Sequence, residues 1–452
     1  MIYRTHIEIC LAVMMMAAVS VANRTSAETQ GDTAKAETYD EVVIRTMKPY
    51  KGPTSKKINS QTLTGKVMCG YQGWFNAEGD GAHRGWAHVG LGNGFKPGSS
   101  GIDFWPDMTE MDKDERYPTG FRHADGRIAE MFSSYNRKTI LRHYKWMRDY
   151  GIDGVYLQRF AVVSYSAAEQ KHFNTVMQSC IEGANRYGRT IVLMYDLSSL
   201  TPDHVEDVKK DWRNLVDRME LTKSKAYQHH NGKPVIGLWG LGFNDNRAYT
   251  PSDVLNLVQF FKDDPKYGKC TVFLGVPTYW RTLDGDCLND PVIHQAIRAA
   301  DIVSPWTVGR FGTPKDAEKY ASERMSEDIK WCKKEGKEYT PVLFPGFSWH
   351  NMFPDSPSEV IPRLGGRFLW TQYVGARKAG AKMIYQAMFD EVNEGTAIFK
   401  CTNDVPVGES KFVTYEGLPS DYYLKLVGMG GRLIRGEIPV TEAMPKFNLK
   451  KP

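Results

Sequence analysis

Short apolar runs alternate along most of the chain with longer amphipathic stretches. The runs cover 66–71, 154–160, 190–195, 234–239, 270–276, 301–306, 340–344 and 381–389. Their apolar residues are mostly consecutive, the pattern of strands buried on both faces of a parallel sheet. The stretches between them carry helix-end signals. Residues 137–150 follow Ser134 and Asn136 and stop before Gly151, and 166–187 stop before Gly188, where glycine is a common C-terminal cap. Thr201-Pro202-Asp203 and Thr250-Pro251-Ser252-Asp253 each put proline in a first turn with an acid close behind. Further helices are expected near 252–263, 291–299, 314–335, 358–379 and 420–430. Eight strand–helix units in succession predict an α/β fold, a single (β/α)8 TIM barrel. An open doubly wound sheet is the runner-up, and it would usually carry a glycine-rich phosphate loop after its first strand. The segment from Cys69 to Trp74 has neither a G-x-G-x-x-G pattern nor a Walker lysine.

The barrel domain is expected over 63–436, with 28–62 before it read as an aperiodic linker or tail and 437–452 as a C-terminal tail. Residues 74–136 form an unusually long loop after the first strand, dense in Gly, Asp, Trp and His. Loops of that length in compact domains tend to be functional, and on the barrel reading this one covers part of the active face. At the N-terminus, Arg4 and His6 precede an apolar run over 9–22 that is too short to span a bilayer. Residues 1–27 are therefore read as a signal peptide. The mature chain is expected to be exported, to the periplasm or the cell exterior, with no membrane span.

A content of 41% hydrophobic and 25% charged residues fits a globular protein with a sizeable core. The formal charge of +5 is small for 452 residues and the basic positions are scattered. No basic stripe argues for nucleic acid. Six cysteines lie beyond the N-terminal run: Cys69, Cys180, Cys270, Cys287, Cys332 and Cys401. They are far apart, and none forms a cluster with zinc-ligand spacing. Most read as buried free thiols, with Cys270 and Cys287 the pair to test for a disulfide. No metal and no cofactor is expected.

The run over 381–389 ends abruptly in Asp390-Glu391-Val392-Asn393-Glu394-Gly395. Acids at the C-terminal end of a barrel strand lie on the face where such folds do chemistry. Two glutamates three apart are the paired acids that cleavage of a glycosidic bond requires. The polar and aromatic residues ending the other runs should converge on the same cleft. The first run supplies Tyr71, Gln72 and Trp74, the second Gln158 and Arg159, the third Tyr195 and Asp196. The fourth supplies Trp239 and Asn244, the fifth Tyr279 and Trp280, the sixth Trp306, and the seventh Trp349 and His350. The set combines stacking faces, amides, an arginine and two glutamates, as a row of sugar subsites would. Arg159 is equally readable as an ion-pair partner of Asp196.

In these residues the chain resembles glycoside hydrolase family 99 and its relative family 71. The resemblance is carried by Phe389-Asp390-Glu391-Val392-Asn393-Glu394-Gly395-Thr396, similar to the E-x-x-E-G-T segment that ends the last barrel strand there, and by 150–160 at the second strand. It implies a retaining (β/α)8 enzyme without a catalytic metal, acting within α-linked glycans or polysaccharides. It further implies that Glu394 is the general acid and later the base. Glu391 would take the proton of the sugar 2-hydroxyl, which attacks C1 to give a 1,2-anhydro sugar. Spacing by itself leaves open a carboxylate nucleophile or a water-activating base. The first strand ends Gly70-Tyr71-Gln72-Gly73-Trp74, unlike the Y-Y-x-W-Y style of the mannose-active members. The alternative function is a non-catalytic carbohydrate-binding barrel, which has no need of two closely spaced acids. A metal-dependent hydrolase would want histidine sets at several strand ends, and His229, His230 and His350 do not form one.

Overall fold

The computed structural model describes residues 37–447, so the expected signal peptide lies outside the described residues. The strands are β1 Val67–Tyr71, β2 Gly154–Phe160, β3 Thr190–Asp196, β4 Lys233–Trp239, β5 Thr271–Val276 and β6 Ile302–Pro305. β7 is split into Glu338–Tyr339 and Val342–Leu343, and β8 is Ile384–Gln386. Neighbouring barrel strands all pair in parallel, as their unbroken apolar runs predict. The first piece of β7 pairs with β6 and the second with β8, which closes the barrel. Pro341 stands at the break and has no N–H for a ladder. Thr340 N donates to Val303 O of β6 (2.9 Å), whereas Pro341 O accepts from Tyr385 N of β8 (3.0 Å).

Successive strand residues face opposite sides of the barrel wall. Met68, Tyr156, Val192, Met194, Phe273 and Tyr385 belong to the inner core. Tyr71, Leu157, Leu193, Tyr195 and Leu238 belong to the outer one, packed beneath the helices. This parity decides which residues reach the mouth.

The helices follow the sequence signals with local differences. Asn136 caps Arg137–Tyr150 and Ser166 caps Ala167–Tyr187, and both end on glycines in the left-handed region, Gly151 (φ 77°) and Gly188 (φ 66°). The stretch expected over 314–335 contains a π-helical turn at Tyr320–Met325. The helix expected from 358 starts at Arg367 and runs to Ala379. The segment read as an aperiodic tail contains a helix, Tyr39–Thr46, opened by a Thr38/Glu41 capping box. It packs on Ala167–Tyr187 through buried Val42 and Val43. Eight residues are too few for a helical period to stand out. The long segment after β1 includes a hairpin, Tyr117–Arg122 with Ile128–Met131, and buries Phe95, Trp105 and Phe121 against one another.

All six described cysteines are buried and free. Cys270 precedes β5 and Cys287 follows its far end, so the length of a strand separates the suggested pair. Among the described residues no helix is long and apolar enough to cross a membrane.

Candidate active site

A cavity of about 530 Å³ opens at the C-terminal mouth of the barrel, within the size range of small-ligand pockets. Gln72, Gln158, Asp196, Trp239 and Trp306 line it from the ends of β1 to β4 and β6, with Tyr385, Met388, Glu391 and Glu394 from β8 and the turn beyond. Phe160, Asp196 and Trp239 are register partners across β2, β3 and β4, so they stand at one level of the wall. Gly275 lies beside Trp239 on β5, and a Cβ there would sit 2.4 Å from the indole ring. Glycine is what leaves room for that indole.

The turn holding the two glutamates is pinned from several sides. Val392 O accepts from Asp103 N (3.0 Å) and Glu394 O from Ser348 N (3.0 Å). Arg363, 2% exposed, donates through Nη2 to Gly395 O (2.8 Å) and Ala397 O (2.7 Å). Gly395 has φ 65°, and a Cβ there would meet Ser348 N at 2.7 Å. Only glycine fits that turn without strain.

Three acids within five residues, Asp390, Glu391 and Glu394, have different surroundings. Asp390 faces away from the cavity and accepts from Gln72 N (2.8 Å) and Gly73 N (2.9 Å), tying the loop after β1 to the end of β8. Burial raises its pKa to about 6. Glu391 is 3% exposed and accepts from Gln72 Nε2 (2.5 Å) and Thr396 Oγ1 (2.6 Å). Burial, then the charge of Glu394, pushes its carboxyl well above the usual range. Glu394 is partly open to the cavity and has no side-chain hydrogen-bond partner among the described residues. Burial, and then the charge of Asp196, raises its pKa to about 7. Such a pair titrates jointly. Two donors hold Glu391 in the manner that suits a carboxylate, and no side chain among the described residues holds Glu394.

Eight of the sixteen residues expected at the strand ends line this cavity: Gln72, Trp74, Gln158, Asp196, Trp239, Trp306, Glu391 and Glu394. Tyr71 points outward, with its hydroxyl 2.8 Å from His143 Nδ1. Arg159 and Tyr195 also lie on the helix-facing side. Arg159 forms a buried two-pronged pair with Asp211 (2.6 Å on each prong), and Tyr195 OH donates to the same carboxylate (2.6 Å). The partner of Arg159 is thus Asp211 and not Asp196. Each is adjacent in sequence to a cavity residue and therefore on the opposite face of its strand.

Trp349 and His350 are likewise away from the cavity. Trp349 Nε1 donates to Ser356 Oγ (2.7 Å), and the ring packs on Phe347 and Phe353. His350 N donates to Asp103 (2.8 Å). Trp280 is fully buried against Trp331, and Asn244 is exposed outside the cavity. Trp74 reaches the cavity, but its two faces are covered by His88 (4.2 Å between centroids) and Phe160 (5.2 Å), both stacked nearly parallel to it. It offers an edge and not a stacking face.

Arg363, Asp103 and Thr396 were not legible as site residues. Thr396 was part of the acidic motif, but Arg363 and Asp103 are more than 25 positions from the glutamates and carried no local signal. Among the described residues no group of three His, Cys, Asp or Glu side chains could hold a metal ion.

The fold is shared with solved structures. Two structures of a family 99 endo-α-mannosidase from Bacteroides thetaiotaomicron, one in complex with bis-tris-propane, superpose with TM-scores of 0.59 and 0.57. They are 16% and 15% identical in sequence, and each alignment covers 83% of this chain and 99% of the other. No family model and no curated protein matches the chain. The likeness is one of fold: this chain and those enzymes are built on the same barrel.

Proposed function

We propose that this protein is a glycoside hydrolase of the family 99 kind that cleaves α-linked glycans with retention. The observation that carries this is the unlike environment of Glu391 and Glu394 in one cavity. One carboxyl is held by two donors, and the other is free, partly open and raised to about 7. Two neighbouring carboxyls with such unlike partners are the arrangement an acid and a base require. In the first step Glu394 gives its proton to the glycosidic oxygen as that bond to C1 breaks. Glu391 takes the proton of the 2-hydroxyl, whose oxygen, where it lies trans to the leaving group as in an α-mannoside, closes on C1 as a 1,2-anhydro sugar. In the second step Glu394, now a carboxylate, takes a proton from water, whose oxygen opens the three-membered ring at C1. Glu391 returns its proton to the 2-oxygen. The two inversions together retain configuration.

Gln158, Asp196, Trp239 and Trp306 are the proposed sugar contacts. Residues 1–27 support an exported chain acting in the periplasm or outside the cell. The test is a release assay on α-mannan, α-1,3-glucan and synthetic α-glycosides, with product configuration read by NMR in the first minutes. Reducing ends released with retained configuration are expected. No release from any of the panel would overturn the proposal.

A further inference from the structure

Beyond the two glutamates the cavity extends towards the loops that follow β1, β2 and β3, where His88, Tyr165, Ser166, Glu169 and Ser199 line it. The polar groups there keep hydrogen-bonding capacity that the fold does not use. Glu169 is 8% exposed. One of its carboxylate oxygens accepts from Arg84 Nη1 (2.8 Å), and the other, Oε1, has no partner among the described residues. Ser166 Oγ accepts from Glu169 N (3.4 Å) and Ser199 Oγ from Val162 N (3.1 Å). Neither hydroxyl gives its proton to a described residue, so each can still donate. His88 lies flat on Trp74, and neither of its ring nitrogens has a partner among the described residues. Burial, then the charge of Arg84, lowers its pKa to about 3. The neutral ring has one donor and one acceptor to offer.

These groups flank an aromatic ring. Tyr165 is stacked on His204 (3.6 Å between centroids), and no other ring covers it among the described residues. A carboxylate oxygen so far buried is costly to leave without a donor. Donors, an acceptor and a flat apolar surface in one recess match a sugar, which carries hydroxyls around its rim and C–H bonds on its faces. Charge narrows the kind of sugar. Four acids line the cavity, Glu169, Asp196, Glu391 and Glu394, and no Lys or Arg does. An anionic sugar would meet like charges there and no cation.

We infer that this recess is a second subsite for a neutral sugar: Glu169 Oε1 accepts from its hydroxyls, Ser166 and Ser199 donate to them, and Tyr165 carries its face. This rests on the hydrolase reading and deepens it. The substrate is a neutral α-linked oligo- or polysaccharide held over at least two adjoining sugars, one at the glutamates and the next in the recess. An α-glycoside of a single sugar leaves the recess empty and is a poor substrate.

The test compares the methyl α-glycosides of mannose and glucose with the methyl glycosides of a panel of their α-linked disaccharides. For at least one linkage the second sugar should raise kcat/KM by about 10–100-fold, the worth of a hydrogen bond to a charged group. Glu169→Gln should close most of that gap, mainly through KM. A merely structural role would lower both substrates alike and leave the gap as it was. That result overturns the subsite, and so does a wild-type enzyme that gains nothing from any second sugar. If Glu169→Gln does not fold, Tyr165→Ala is read in the same way. A disaccharide whose added sugar is a uronic acid should show no gain, and an equal gain overturns the neutral class. If nothing is cleaved, the hydrolase reading falls, and calorimetry with the same glycosides decides the subsite. Tighter binding of a disaccharide that is lost in Glu169→Gln supports it, and equal or absent binding overturns it.

Discussion

Gln72 donates its side-chain amide to Glu391 across 2.5 Å, joining the loop after the first strand to the acid that follows the last. The same loop is gripped through its backbone by Asp390, the neighbour of Glu391. Adjacent acids thus divide the work. Asp390 closes the barrel mouth, and Glu391 is presented inside it with its orientation set by an amide and a hydroxyl.

Glu394→Gln should lower turnover of an unactivated α-glycoside by ~10²–10⁴-fold while binding is retained. Steady-state rates and calorimetry on the purified variant check this. A variant within a few-fold of wild type would remove Glu394 from the acid role.

The raised pKa of Glu394 also has a stability signature. In the folded chain it holds its proton up to about 7, whereas its ordinary value is 4.5. Between those values the folded state binds more protons than the unfolded one, so stability falls as pH rises through this window. Below it the favourable contribution is fully present, and above it nothing more is lost. Glu394→Gln removes that slope. Its melting temperature, relative to wild type, should be a few degrees higher at pH 8 than at pH 5. Equal differences at the two pH values would contradict the assignment. Activity that depends on protonated Glu394 should likewise fall as pH rises through about 7.

Asp211→Ala leaves the buried Arg159 without its counter-charge. Breaking such a pair costs about 3–5 kcal/mol, which chemical denaturation would register. Activity per folded molecule should stay within about twofold, because Arg159 and Tyr195 point away from the cavity. A selective loss of activity with stability intact would bring Arg159 back to the substrate.

Trp74 and Trp306 should separate under truncation. Trp74 is clamped on both faces, so Trp74→Ala is expected to cost about 3–5 kcal/mol of stability. Trp306, 9% exposed at the cavity wall, should show its loss mainly in KM. Thermal melts beside Michaelis constants for both variants distinguish the two behaviours.

If Glu391 takes the proton of the 2-hydroxyl, a 2-fluoro glycoside should turn over hardly at all and leave no adduct on the protein. A nucleophilic Glu391 would instead gain one glycosyl unit, visible by intact-mass measurement. Inverted product would mean that it activates water.

The unbroken apolar runs and the glycines after Tyr150 and Tyr187 determined a parallel barrel, because burial on both faces and left-handed helix caps are local demands that residue type alone can meet. The acidic turn was legible for the same reason: Glu391 and Glu394 are near each other in sequence and follow a strand. What the sequence could not decide was direction. Tyr71 and Gln72, Gln158 and Arg159, and Tyr195 and Asp196 are neighbours of similar polarity, and which of each pair faces the cavity depends on strand register, set by pairing along the whole sheet. Partners distant in sequence were hidden too. Arg159 meets Asp211, Asp390 meets the amides of Gln72 and Gly73, and Arg363 meets the carbonyls of Gly395 and Ala397 only once the barrel has closed. The proposed chemistry was written in one short segment, but the wall around it and its orientation are products of packing.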